Sequence, residues 1–233
     1  MFQELAFEST VLGEISLRSR HDPVLAEDVY EVKLNDEYLM SSAFTAGEIA
    51  LADLALQEAQ GKSLNVVVGG LGLGYTAATA LKDERVESVI VIEALAPVID
   101  WHERHLIPLG QSLSADPRCN FALADFFDVA TRPRGFHGIA GKEVDVLLLD
   151  IDHSPRHRLL EDQREFYDAA SLSLVAEQLT EHGIFAIWSN DAPDVQFTDE
   201  LSRSFGKAYA EQVWFENPYS GGKSSNTIYI AKR

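Results

Sequence analysis

The sequence is short of cysteine, of positive charge and of long apolar runs. Cys119 is the only cysteine among 233 residues, which rules out an intramolecular disulfide and a cysteine-based zinc site. Nineteen Lys and Arg stand against 37 Asp and Glu, a formal net charge of −18. No basic run is present, so the footprint that neutralises phosphates is missing and nucleic-acid partners are disfavoured. No apolar stretch approaches the ~20 residues of a membrane span. The N-terminal Met-Phe-Gln-Glu-Leu-Ala has no basic start leading into an apolar core, so no signal peptide is expected. A cytoplasmic protein without a membrane partner is the expectation. An acidic field attracts cationic small molecules such as amines, although acidity alone also serves solubility.

Against these absences stands one stretch rich in small residues. Leu64 to Val68 is a β-branched run, followed by Gly69, Gly70, Gly72 and Gly74, then Tyr75. The run reads as a parallel strand covered on both faces. Glycine at every second position leaves a turn without side chains, so its backbone can approach a nucleoside and present N–H groups from the next helix. A ligand-free strand-to-helix turn has the same pattern, so the glycines alone do not decide.

Around this stretch the chain divides in two. Residues 1–45 alternate as strands: Val11 to Arg20 in part, then Tyr30–Leu34 and Glu37–Met40 about an Asn35–Asp36 turn, a hairpin signal. Residues 46–233 alternate strand and helix. Helices are expected at Gly47–Gln60, Tyr75–Leu81, Ala96–His105, Glu161–Glu181 and Thr198–Phe205. Strands are expected at Val86–Ile92, Asn120–Ala124, Val144–Leu149 and Ile184–Trp188, with a closing pair at Lys207–Glu216 and Asn226–Ala231. Repeated β-α-β units demand a doubly wound, mostly parallel sheet, here of seven strands, and the last two strands, joined by a turn, must be antiparallel. The fold class is therefore α/β with a small N-terminal β-appendage.

The placement of acids points to a site. Glu93, Asp125 and Asp150 each follow an apolar run directly, and ligands of open α/β sheets bind beyond the carboxyl ends of the strands. Glu93 lies 19 residues past Gly74, about the offset at which an acid reaches a ribose diol. Asp125 suits an adenine amino group, with Phe126 packing the ring. Asp150, Asp152 and His153 follow the fourth strand and are candidates to hold and deprotonate an attacking amine. Tyr167 and Trp188 are candidates to line a substrate pocket; both residue types serve as core equally well. His153 and His157 are four apart, but no third ligand accompanies them, so no metal is expected. His102 and His105 lie on a charged helix and are expected in solvent. Gly72-Leu73-Gly74-Tyr75-Thr76-Ala77 also fits the dinucleotide pattern G-x-G-x-x-A. Against a nicotinamide enzyme stand the closing hairpin and the lack of a second mononucleotide half.

Val68 to Gly74, Val91-Ile92-Glu93, Ala124-Asp125 and Leu148-Leu149-Asp150 together resemble the class I S-adenosylmethionine-binding fold. With the β-appendage, Leu159-Leu160, Glu165-Phe166-Tyr167 and Gly183 to Ser189, the chain is similar to the spermidine synthase (polyamine aminopropyltransferase) branch over roughly residues 30–233. The resemblance implies S-adenosylmethionine or its decarboxylated form as cofactor, held by Gly70, Gly72, Leu73, Gly74, Glu93, Asp125 and Phe126. It implies Asp150 as the acid-base residue and an amine such as putrescine as partner. Methyl transfer and a non-catalytic nucleoside-binding role are the alternatives, and a homodimer is compatible with the chain. Three positions depart from the branch. Leu73 stands where it carries an aspartate in the turn, Ala46 and Gly47 where it carries tyrosine and glutamine, and His153 where it carries a second aspartate.

Overall fold

The computed structural model describes residues 2–35, 37–151, 153–157 and 166–233. Two sheets organise it. The first is an antiparallel meander of β1 (Phe2–Thr10), β2 (Gly13–Asp22), β3 (Glu27–Leu34) and β4 (Glu37–Ser41). Its inward residues Ile15, Leu17 and Val32 join the core of the rest of the chain. The expected strand from Val11 is corrected: Val11 and Leu12 form the turn between β1 and β2, and Val11 is fully exposed.

The second sheet contains β5 (Leu64–Gly69), β6 (Val86–Glu93), β7 (Cys119–Leu123), β8 (Val144–Leu149), β9 (Leu179–Ser189), β10 (Lys207–Asn217) and β11 (Gly222–Lys232). Their spatial order is β10-β11-β9-β8-β5-β6-β7. The strands β7, β6, β5, β8 and β9 run parallel, while β11 is antiparallel to both its neighbours. Five of the six residues of β5 and of β8 are buried, the exceptions being Asn65 and Asp145. These two meet: the Asn65 N–H donates to Asp145 Oδ2 at 2.8 Å. Strand order reverses between β5 and β8, the switch point at which such sheets open a crevice.

Helix α1 (Ala46–Glu58) packs on α2 (Tyr75–Ala80) and across β9 and β11. It buries Glu48, Leu51, Ala52, Ala55 and Leu56, one stripe at helical spacing. Its C-terminal carbonyls are capped from outside, Arg85 donating to Leu56 O and Ala59 O. The remaining helices are α3 (Ala96–Glu103), α4 (Gly110–Ala115), α5 (Phe126–Thr131), α6 (Gly135–Ala140), α7 (Ala169–Glu177) and α8 (Val195–Phe205). The long helix expected to end at Glu181 is a second correction. α7 stops at Glu177 and β9 begins at Leu179. Leu172, Val175, Ala176 and Leu179 keep helical spacing and are all buried, so the apolar pattern runs on into the strand. Pairing of β9 with β8 jumps from Val144↔Leu179 to Val146↔Ile184, which places His182 and Gly183 in an excursion within the strand. The expected residues 161–165 of that helix lie outside the described residues. No helix is long and apolar enough to cross a membrane.

Candidate functional site

A cavity of about 390 Å³ opens beyond the carboxyl ends of the parallel strands. Gly70 and Gly72, Glu93, Asp125 and Phe126, and Asp150 with His153 line it from the ends of β5, β6, β7 and β8; Trp188 of β9 and Glu48 of α1 complete it. The small sheet closes the opposite wall with Val32, Leu34, Leu39 and Met40. A larger groove, about 890 Å³, lies at the other end of the strands and is lined by Arg132, Arg134, Glu177, Glu181 and Arg233 among others. It is distant from the glycine turn and from every acid at the strand ends.

The turn is shaped as much by packing as by any ligand. Gly70 has φ +93° and Gly72 has φ +47°, values that disfavour a side chain. A Cβ on Gly70 would collide with the Asp150 carbonyl, and one on Gly72 with Met40 Sδ. Met40 of the small sheet therefore fills part of the space that the bare turn leaves open. Gly74 caps α2 and faces Leu113 and His102; it is not part of the cavity lining. Leu73 is 1% exposed and belongs to the core, also outside the lining.

One side of the cavity carries acids supplied with backbone donors. Glu93 Oε2 accepts the Leu71 N–H and Oε1 the Leu95 N–H, both at 2.9 Å. Burial raises its pKa, opposed by those N–H groups. The carboxyl is thus fixed across the glycine turn, with lone pairs remaining for vicinal hydroxyls. Asp125 is the N-cap of α5, its Oδ1 accepting from Phe127 at 2.8 Å and Asp128 at 3.3 Å. Its other oxygen takes no hydrogen bond among the described residues. The Phe126 ring packs under Gly69, where a Cβ would meet it at 2.5 Å. This half of the cavity offers acceptors for a diol and an amino group beside an aromatic ring, an arrangement that fits a nucleoside.

The other side holds a pair of acids in poor surroundings. Asp150 Oδ2 accepts the Thr76 hydroxyl at 2.6 Å, and burial nevertheless raises its pKa to about 6. Glu48 is 8% exposed, and its carboxyl has only its own backbone N–H as hydrogen-bond partner among the described residues. Burial, then the negative charge of Asp150, push its pKa up to about 8. The two carboxyls therefore titrate as a pair, each resisting ionisation of the other. Residue type and spacing contained a signal for Glu48 that went unused: it is the one charged residue on the buried stripe of α1. That stripe faces the sheet at Leu51 and Ala55, and one turn earlier it overhangs the strand ends.

Trp188 stands beside this pair. Its Nε1–H is buried and has no acceptor among the described residues. The indole lies against Gly47, where a Cβ would collide with Nε1. Tyr167 lies elsewhere, packed among Phe127, Phe166 and Phe197 with ring centroids 5.0–6.5 Å apart, and is not part of the cavity lining. Asp152 lies outside the described residues. His157 is held by Asp191 at 3.0 Å, away from His153; no cluster of three metal-ligating side chains occurs among the described residues. The expectation that His102 is solvated is corrected. It is fully buried under the glycine turn, its Nε2–H donating to Gly72 O at 2.9 Å, and burial lowers its pKa.

No family model and no curated protein matches the chain. Solved structures do. A spermidine synthase in complex with the transition-state analogue AdoDATO is 17% identical with a TM-score of 0.72; the match covers 98% of this chain and 72% of that one. Spermidine synthase from Thermotoga maritima is 18% identical with a TM-score of 0.73 over the same shares. The chain has the spermidine synthase-like fold, small N-terminal sheet included.

Proposed function

We propose that the protein is a transferase of the aminopropyltransferase type, moving an alkyl group from a sulfonium nucleoside, decarboxylated S-adenosylmethionine first, to an amine. The observation that supports this reading best is the division of one cavity: hydrogen-bonded Glu93 and Asp125 on one side, the under-partnered Glu48 and Asp150 on the other. When bound, the sulfonium nucleoside supplies an electrophilic carbon and a neutral thioether as leaving group. Glu93 holds the ribose hydroxyls, Asp125 meets the base, and Phe126 shapes the wall beside them. Asp150, braced by the Thr76 hydroxyl, orients the amine and accepts its proton as the new N–C bond forms. A carboxylate with a pKa near 6 suits that task at neutral pH. Positioning of the amine accounts for much of the remaining rate.

Methyl transfer from intact S-adenosylmethionine is the second reading. Leu73 favours it, because a buried leucine in the turn offers nothing to an aminopropyl ammonium. A thermal-shift panel of S-adenosylmethionine, its decarboxylated form, methylthioadenosine and NAD ranks the ligands by linkage. Sulfonium nucleosides and methylthioadenosine are expected to stabilise the fold more than NAD; the reverse order overturns the proposal. Incubation with putrescine and each cofactor then separates the two transfers by product mass.

A further inference from the structure

Beyond the two acids at the nucleoside side, Glu48 and Asp150 are the carboxyl groups among the described lining residues. The wall facing them is apolar: Val32, Leu34, Leu39 and Met40 from the small sheet, with the Trp188 indole beside them. Glu48 is more than nine-tenths buried and lines this space, and its carboxyl takes a hydrogen bond from no other described residue. A buried carboxyl without a partner is costly unless a ligand supplies one.

We propose that Glu48 receives the acceptor's amino group, and that the acceptor is an amine with one charged nitrogen and an apolar remainder. The proposal rests on the transfer to an amine inferred above and names the substrate class of that site. Glu48 and Asp150 converge on one region, so a single ammonium satisfies both. The rest of the molecule extends along Val32, Leu34, Leu39 and Met40. Among the described residues, the second ammonium of a diamine would lie against those side chains without a counter-charge, and leaving an ammonium unpaired in an apolar wall is strongly unfavourable. Nothing in this placement depends on which alkyl group is transferred.

The test uses two probes of equal carbon number, n-pentylamine and 1,5-diaminopentane, titrated calorimetrically into the whole protein with and without methylthioadenosine. Expected is tighter binding of n-pentylamine by at least about tenfold, the factor equivalent to ~1.4 kcal/mol. Glu48→Gln is expected to weaken n-pentylamine and the diamine alike, while methylthioadenosine still binds. Leu39→Glu, which adds an acid to the apolar wall, is expected to reverse the order in favour of the diamine. Equal or tighter diamine binding by the wild type overturns the proposal, as does unchanged n-pentylamine binding in Glu48→Gln. Failure of methylthioadenosine to bind counts instead against the transferase reading, because the amine ranking is measured without it as well.

Discussion

Asp22 and Glu48 are both removed from solvent, 1% and 8% exposed, yet their surroundings drive them in opposite directions. Asp22 ends β2 and collects donors. Oδ2 accepts the Tyr219 hydroxyl and Arg20 Nη1, each at 2.5 Å, and Oδ1 accepts the N–H groups of Val24 at 2.9 Å and Leu25 at 3.1 Å. The Tyr219 hydroxyl, Arg20 and the two N–H groups hold its pKa well below the ordinary carboxylate range. Because Tyr219 sits in the β10–β11 turn, this acid ties the small sheet to the closing hairpin. Phe44 reinforces the junction by packing on Phe215 and Tyr219, centroids 5.4 and 5.7 Å away. Glu48 has none of this support. One buried acid is part of the framework because the chain supplies its partners; the other is fitted for a ligand because the chain does not.

The largest expected effect separates the two regions by activity. Asp150→Asn, beside Glu48, should slow formation of the thioether nucleoside by roughly 10²–10⁴-fold, the usual span for a lost general base. Asp22→Asn should leave the rate per folded molecule intact. Product chromatography measures both, and an unchanged rate in Asp150→Asn removes that residue from proton transfer. Next in size is stability. Asp22→Asn should lower the melting temperature by several degrees, since an amide keeps one acceptor oxygen for the four donors of Arg20, Tyr219, Val24 and Leu25; an unchanged melt would show that the clasp contributes nothing.

Smaller and more diagnostic is the pH dependence of melting. Asp22 has a depressed pKa, so its contribution is present above its ordinary value of 3.8 and is lost as pH falls below it. Glu48 and Asp150 have raised values, so theirs is present below 4.5 and 3.8 and is lost as pH rises through about 6 for Asp150 and about 8 for Glu48. Stability should therefore peak in mildly acidic solution and decline on both sides. Asp22→Asn should flatten the acid limb and Glu48→Gln the alkaline one. The smallest effect is a gain: at pH 9 Glu48→Gln should melt slightly higher than the wild type, because it removes a buried charge. A lower melting temperature would mean that the Glu48 carboxylate has a stabilising partner.

Much of the fold was legible because parallel strands covered on both faces announce themselves. Leu64–Val68, Val86–Ile92 and Val144–Leu149 are β-branched or leucine-rich runs, and each forms a strand within a residue of its expected bounds. The strand-end acids Glu93, Asp125 and Asp150 follow from the same pattern, and the structure gathers all three on one cavity. The short helices α4, α5 and α6, at six residues each, are too brief to establish a helical period. The start of β9 was hidden by apolar residues that keep helical spacing across Gln178. His102 looked solvated beside Glu103 and Arg104; only the fold brings the Gly72 carbonyl to its ring.

The sequence by itself determined the alternation of strands and helices, the antiparallel ending and the acids at the strand ends, because these follow from local periodicity and from the chirality of crossovers. Tertiary structure decided which of those groups would meet. It put Met40 against Gly72, Trp188 against Gly47 and Glu48 in the same cavity as Asp150, bringing together residues far apart in the chain. It also decided which buried acids would find donors, and so which one awaits a ligand. Spacing along a chain fixes the face a residue occupies; only packing fixes what stands across from it.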